Sequence, residues 1–120
     1  WVDLQGFNAA TLMVVNNTVT DAGTASGFTL TMQHGDDSTA AGAAAVAATD
    51  VVGDTTTVTV TSDSADNAIA GGVGYNGSKR YVRFNAVGTT GTDADVSVVA
   101  VLDCPSYADT TFVGTSVAAT

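Results

Sequence analysis

Residues 28–34, FTLTMQH, alternate without a break: Phe28, Leu30 and Met32 fall on one side of an extended chain, Thr29, Thr31 and Gln33 on the other. Side chains of a strand project to opposite faces with period two, so this stretch reads as a strand with one face on a core and one in water. The same rhythm recurs on both sides of it. FNAATLMVVN (7–16) reads as the first strand, followed by a polar corner, NNTVTDAGTASG; DTTTVTVTSD (54–63) turns Val58 and Val60 inward and threonines outward. KRYVRFNAV (79–87) and VSVVAVLD (96–103), joined by the loop GTTGTDAD (88–95), form the C-terminal pair of strands.

Between these lie weaker signals. GDDSTAAG (35–42) is a loop by its Gly and Asp content. AAAVAATDVV (43–52) is rich in alanine, the best helix former, but no other good helix former accompanies it, and its Val-rich end favours an irregular strand. The Gly-rich SADNAIAGGVGY (64–75) predicts a short strand with a bulge or a close backbone approach. Asn76-Gly77 is a strong hairpin-turn dipeptide, since both residues tolerate a positive φ.

No stretch holds an apolar i, i+3, i+4 rhythm, and Thr, Val, Ala and Gly dominate the composition. The expectation is an all-β, single-domain chain spanning 1–120. It should be an antiparallel β-sandwich or barrel, jelly-roll-like, of six to eight strands. Residues 104–120 read as an extended C-terminal arm or one further strand. The longest apolar run is far shorter than the ~20 residues of a membrane-spanning helix, and no basic start followed by an apolar segment is seen.

The charge is lopsided. All twelve acids are aspartates, against three cations, for a formal net charge of −9. Nucleic acid and anionic membranes are poor partners for such a surface. A saline setting, which screens the self-repulsion, would suit it. The lone cysteine, Cys104, cannot form an intrachain disulfide and reads as a small apolar residue.

All three cations, Lys79, Arg80 and Arg83, stand within a single candidate strand. There Arg80, Val82, Phe84 and Ala86 share one face, and Lys79, Tyr81, Arg83 and Asn85 the other. One role for the cations is local: offsetting nearby aspartates while their stems cover apolar surface, an exposed pairing that contributes little. The other is docking. Arg and Tyr are enriched at interface hot spots, and Arg grips a carboxylate with two bonds. Lys79, Arg80, Tyr81 and Arg83 are therefore the candidate partner-interface residues, with the carboxylate expected from a neighbouring copy or another acidic protein.

GYNGSKRYVRFNAVGTTGTDADVSVVAVL resembles the C-terminal strand pair of small structural proteins encoded in the head gene clusters of tailed bacteriophages. In that family a G-Y-x-G-x-K-R-Y-V-R strand leads through a Gly/Thr loop to a Val/Ala-rich strand. FNAATLMVV and FTLTMQHGDDSTAAGAA are similar to the family's first strand and its Q-x-S-D-D stretch, with His34-Gly35 in place of a serine-containing version. The likeness covers most of residues 5–103. It implies a non-enzymatic capsid decoration, or cement, protein on the outer surface of a virion head, bridging capsomers. Its partners would be the major capsid protein and further copies of itself, with trimers at three-fold positions as the first expectation.

Chemistry-bearing patterns are sparse. His34 lies near Asp36, Asp37 and Ser38, but no Gly-x-Ser-x-Gly elbow positions a nucleophile, so no catalytic residue is assigned. One Cys and one His do not make a zinc site. Asp36 and Asp37, Asp63 with Asp66 and Asn67, and Asp93 with Asp95 offer oxygen ligands, yet none follows the EF-hand pattern; no metal or cofactor is expected. GGVG (71–74) lacks the Lys-Ser/Thr and helix start of a phosphate loop. The alternative function is a carbohydrate-binding or adhesion module on a head fibre, neck or tail. Trp1, Tyr75, Tyr81 and Tyr107 would supply its aromatic platform.

Overall fold

The computed structural model describes residues 1–20, 22, 27–53, 55–62, 68–88 and 93–105. Its strands are β1 (Val2–Asp3), β2 (Phe7–Thr20), β3 (Phe28–Gly35), β4 (Ala44–Ala45), β5 (Val51–Val52), β6 (Thr57–Val60), β7 (Ala68–Tyr75), β8 (Tyr81–Gly88) and β9 (Asp93–Pro105). The count exceeds the expected six to eight because β1, β4 and β5 are two-residue pieces. Every pairing is antiparallel. The chain is an all-β sandwich rather than a barrel, since each of its two sheets ends in edges of its own.

The first sheet runs β1-β8-β3, and two short strands share the far edge of β3: β6 along Phe28–Thr31 and β4 along Gln33–His34. The handover falls at Met32, whose N–H donates to the Thr56 carbonyl (2.9 Å) while its carbonyl accepts from Val46 N–H (3.1 Å). The second sheet runs β5-β7-β2-β9. Between the sheets lies the core that the alternation predicted. Phe28, Leu30 and Met32 of β3, Val58 and Val60 of β6 and Val82 of β8 meet Leu12 and Val14 of β2 and Val73 and Tyr75 of β7. Burying side chains of this size contributes about 1.5–3 kcal/mol each, which is what fixes the register of every long strand.

Several boundaries differ from the sequence reading, each for a packing reason. β2 continues four residues past Asn16 to Thr20: a register shift between Asn16 and Val19 returns Val19 to the core, so the polar corner begins later. The expected strand at 54–63 shortens to Thr57–Val60. Residues 43–52 are not one irregular strand; β4 and β5 flank a 3-10 turn at Ala48–Asp50, and only Val46 and Val51 of the stretch reach the core. The bulge expected in the Gly-rich segment is present. Val14 pairs with Gly71 and Val15 with Ile69, leaving Ala70 as the extra residue. Gly71 has φ +157°, and a β-carbon there would stand 3.2 Å from Val58 of the facing sheet.

Asn76-Gly77 is not a hairpin. Tyr75 ends β7 in the second sheet and Tyr81 opens β8 in the first, so residues 76–80 cross from one layer to the other. Asn76 N–H donates to the Asp50 carbonyl at 2.9 Å. Gly77 lies against the Tyr75 ring, and a β-carbon there would stand 2.5 Å from the phenol oxygen. Its glycine is required by proximity rather than by turn geometry. Likewise β8 and β9 are both strands, but they belong to different sheets and pair with β3 and β2. β9 runs to Pro105, and the remainder of the expected arm, residues 106–120, lies outside the described residues.

Candidate functional site

The segment carrying the cations is held against the beginning of the chain. β1 pairs along the edge of β8, Val2 with Val82 and Asp3 with Tyr81, and Leu4 N–H donates to the Arg80 carbonyl at 2.7 Å. This brings Trp1, Asp3 and Gln5 beside residues nearly eighty positions away in sequence.

Each cation then takes a different partner. Lys79 Nζ donates to Asp36 Oδ2 at 2.7 Å. Arg80 grips Asp3 with two bonds of 2.9 Å, donates to Gln5 Oε1 at 2.7 Å, and sets its guanidinium 5.0 Å from the Tyr81 ring centre. Arg83 Nε donates to Gln33 Oε1 at 2.9 Å, and its guanidinium lies 4.5 Å from the ring centre of Trp1. Among the described residues, Lys79 and Arg80 thus meet carboxylates within the chain, whereas Arg83 meets an amide and an indole. Tyr81 and Arg83 are half-buried on the outer face of β8, because Val82 between them is in the core. Trp1, 37% exposed, caps the patch.

The Arg80 bonds, the Gln5 N–H and the guanidinium charge together hold Asp3 down to a pKa of about 2, from an ordinary 3.8. The Asp3 contribution is therefore complete above pH ~4 and is lost as pH falls towards 2. Trp1, the only tryptophan, lies two residues from Asp3 and reports on this strap. Its fluorescence should hold steady from pH 7 to 4 and change with a midpoint near 2. Asp3→Asn should show the loosened signal already at pH 7, with unchanged far-ultraviolet circular dichroism. A Trp1 signal indifferent to Asp3→Asn would refute the coupling.

On the inner side of the same region Tyr75 is fully buried. Its phenol oxygen accepts from Lys79 N–H at 3.0 Å and bonds His34 Nδ1 at 3.0 Å, the two rings meeting edge to face. Burial, opposed by the Lys79 N–H bond, raises its pKa above 10, so the phenol is neutral at physiological pH. His34 is thus joined to the core network of Tyr75 rather than to the Asp36–Ser38 loop. Within that loop Asp37 Oδ1 accepts from Thr39 N–H (2.9 Å) and Thr39 Oγ1 (2.6 Å), bonds that lower its pKa and close an ordinary Asx turn. Asp93 and Asp95 line a shallow cleft with Thr18 and Thr20. Asp63, Asp66, Asn67 and Tyr107 lie outside the described residues. No group of three or more His, Cys, Asp or Glu that could hold a metal ion occurs among the described residues.

The aromatic platform expected for a carbohydrate is reduced by this arrangement: Tyr75 faces the core, leaving Trp1 and Tyr81 at the surface among the described residues. The inward placement of Tyr75 was readable from GGVGY, where Val73 and Tyr75 alternate with small glycines. The strapping of Trp1 over Arg83 had no local signal. Comparison with protein-family models, with curated proteins and with solved structures finds no match in any of the three.

Proposed function

We propose that this chain is a non-enzymatic virion structural protein, a capsid decoration or cement protein that binds the outer surface of a tailed-phage head and bridges capsomers. The observation that carries the reading is the state of Arg83. It is held at the surface by Gln33 and Trp1 with no carboxylate partner among the described residues, in a chain of formal net charge −9. A guanidinium fixed in this way is pre-organised to accept an acidic group from outside, and Tyr81 beside it adds rigid contact area. Lys79 and Arg80 border the patch and fix its shape through Asp36 and Asp3. The resemblance of the G-Y-x-G-x-K-R-Y-V-R stretch to phage head proteins supplies the partner class: the major capsid protein and neighbouring copies. Many copies on one shell turn modest contacts into strong collective binding, because each added contact acts at high effective concentration.

Arg83→Glu should reduce occupancy on purified particles at least tenfold, about 1.4 kcal/mol per site, while the melting temperature of the isolated chain moves little. Unchanged occupancy, or a particle map without this chain outside the main shell, would remove the proposal. Trp1 and Tyr81, which each pack against an arginine of this segment, are the residues a carbohydrate-binding role would use. Selective glycan-array binding abolished by Trp1→Ala would favour that second reading.

A further inference from the structure

We infer that two copies of this chain associate by pairing β9 with β9 of the second copy, antiparallel, joining their four-stranded sheets into one continuous sheet. β9 is thirteen residues long, about 44 Å, and among the described residues is bonded along one side only, to β2. Its middle, VSVVAVL (96–102), has the sequence of a strand covered on both faces. Yet in the single chain both faces stay half-open: Val96 and Val98 of the inward row are 38% and 41% exposed, Val99 and Val101 of the outward row 46% and 51%. The devices that normally protect a long edge are missing from this stretch, which contains no lysine, no proline and no charge.

Length selects the partner. Among the described residues the other strands at sheet edges are β1, β4 and β5, of two residues each, and β6, of four, and the parts of β8 and β7 that β1 and β5 leave uncovered, 83–88 and 68–73, are about half the length of β9. Only a second β9 offers an edge of matching extent.

Charge selects the register. Opposed residues must lie on the same face, so the two-fold axis of an antiparallel pair passes through a residue position. Centring on Val98 sets Asp103 opposite Asp93, and centring on Val99 sets Asp103 opposite Asp95; like charges directly opposed are destabilising. Centring on Ala100 avoids both and, of the registers that do, keeps the longest overlap of the two strands. Ser97 then faces Asp103, Val98 faces Leu102, Val99 faces Val101, and Ala100 faces its own copy. The Asp95 of the second copy is one diagonal step from Asp103. Such a pairing is isologous and closes on two copies, so a three-fold arrangement on a shell would have to be built from other contacts. The inference does not depend on the virion role.

Sedimentation velocity of the full chain tests it. A dimer should form in the micromolar range, with apparent affinity rising at least tenfold from 0.1 to 1 M NaCl, as screening contracts from about 10 Å to about 3 Å. Val99→Lys should be monomeric under all these conditions, with unchanged circular dichroism and melting. In a Cys104→Ser background, Ala100→Cys should cross-link into a covalent dimer on mild oxidation and Val99→Cys should not. The inference is overturned if the native chain is a monomer at every concentration and salt. It also falls if the β9 amides of that monomer exchange slowly on both edges, which would mean that the chain covers its own edge. Cross-linking through position 99 in place of 100 overturns the register.

Discussion

Tyr75→Ala should lower the free energy of unfolding by about 3–5 kcal/mol, the range for emptying a large aromatic site, out of a total of about 5–15 kcal/mol for an ordinary domain. Tyr75 is the largest of the fully buried side chains among the described residues. It sits where the chain leaves the second sheet for the first, so the cavity would open beside the crossover that fixes β8. Two polar groups would also lose their partner, Lys79 N–H and His34 Nδ1. Tyr75→Phe separates the effects: the ring stays, the hydroxyl goes, and the expected cost is about 1–3 kcal/mol for leaving buried polar groups unmatched. Urea denaturation of both variants measures this. A loss below about 1.5 kcal/mol for the alanine variant would mean that the ring does not hold the crossover.

Asn16→Leu should do the reverse and stabilise the chain by about 1–3 kcal/mol. Asn16 is 1% exposed, on the inward row of β2 after Leu12 and Val14, and among the described residues neither its amide nitrogen nor its oxygen has a hydrogen-bond partner. A buried amide without partners carries its full desolvation cost, and leucine keeps the same branched shape and number of side-chain heavy atoms, slightly enlarged, while removing both polar atoms. The site lies just ahead of the register shift that brings Val19 inward, so the substitution alters no pairing. The same denaturation experiment decides it. A destabilised Asn16→Leu would show that a water molecule satisfies the amide.

These two residues also mark where the sequence was legible and where it was not. Period-two alternation located the faces of β3, β6 and β8 residue by residue, because each half-buried strand must place Phe28, Leu30, Met32, Val58, Val60 and Val82 on the same side as the core. It could not locate partners. The Asn76-Gly77 signal describes four consecutive residues, whereas the path there is decided by a phenol ring that needs a glycine beside it and by strands in separate layers. The cations were conspicuous in composition, but their partners Asp3 and Asp36 lie 77 and 43 positions away, and no spacing rule links them. Asn16 looked like the start of a polar corner because a bulge two residues later, invisible to pattern, keeps the strand going. The β9 run was visible as valine-rich; that it would border the sheet follows only from the strand order.

The pairing of β2 with β9 joins the first long strand to the last one described, from Phe7 opposite Pro105 to Thr20 opposite Asp93. During synthesis β2 therefore emerges long before the strand that will flank it, and that edge must wait, unpaired, while β3 to β8 are made. Closing so large a loop is entropically slow. The second sheet is therefore completed only once β9 has left the ribosome, whatever the rest of the molecule has already built.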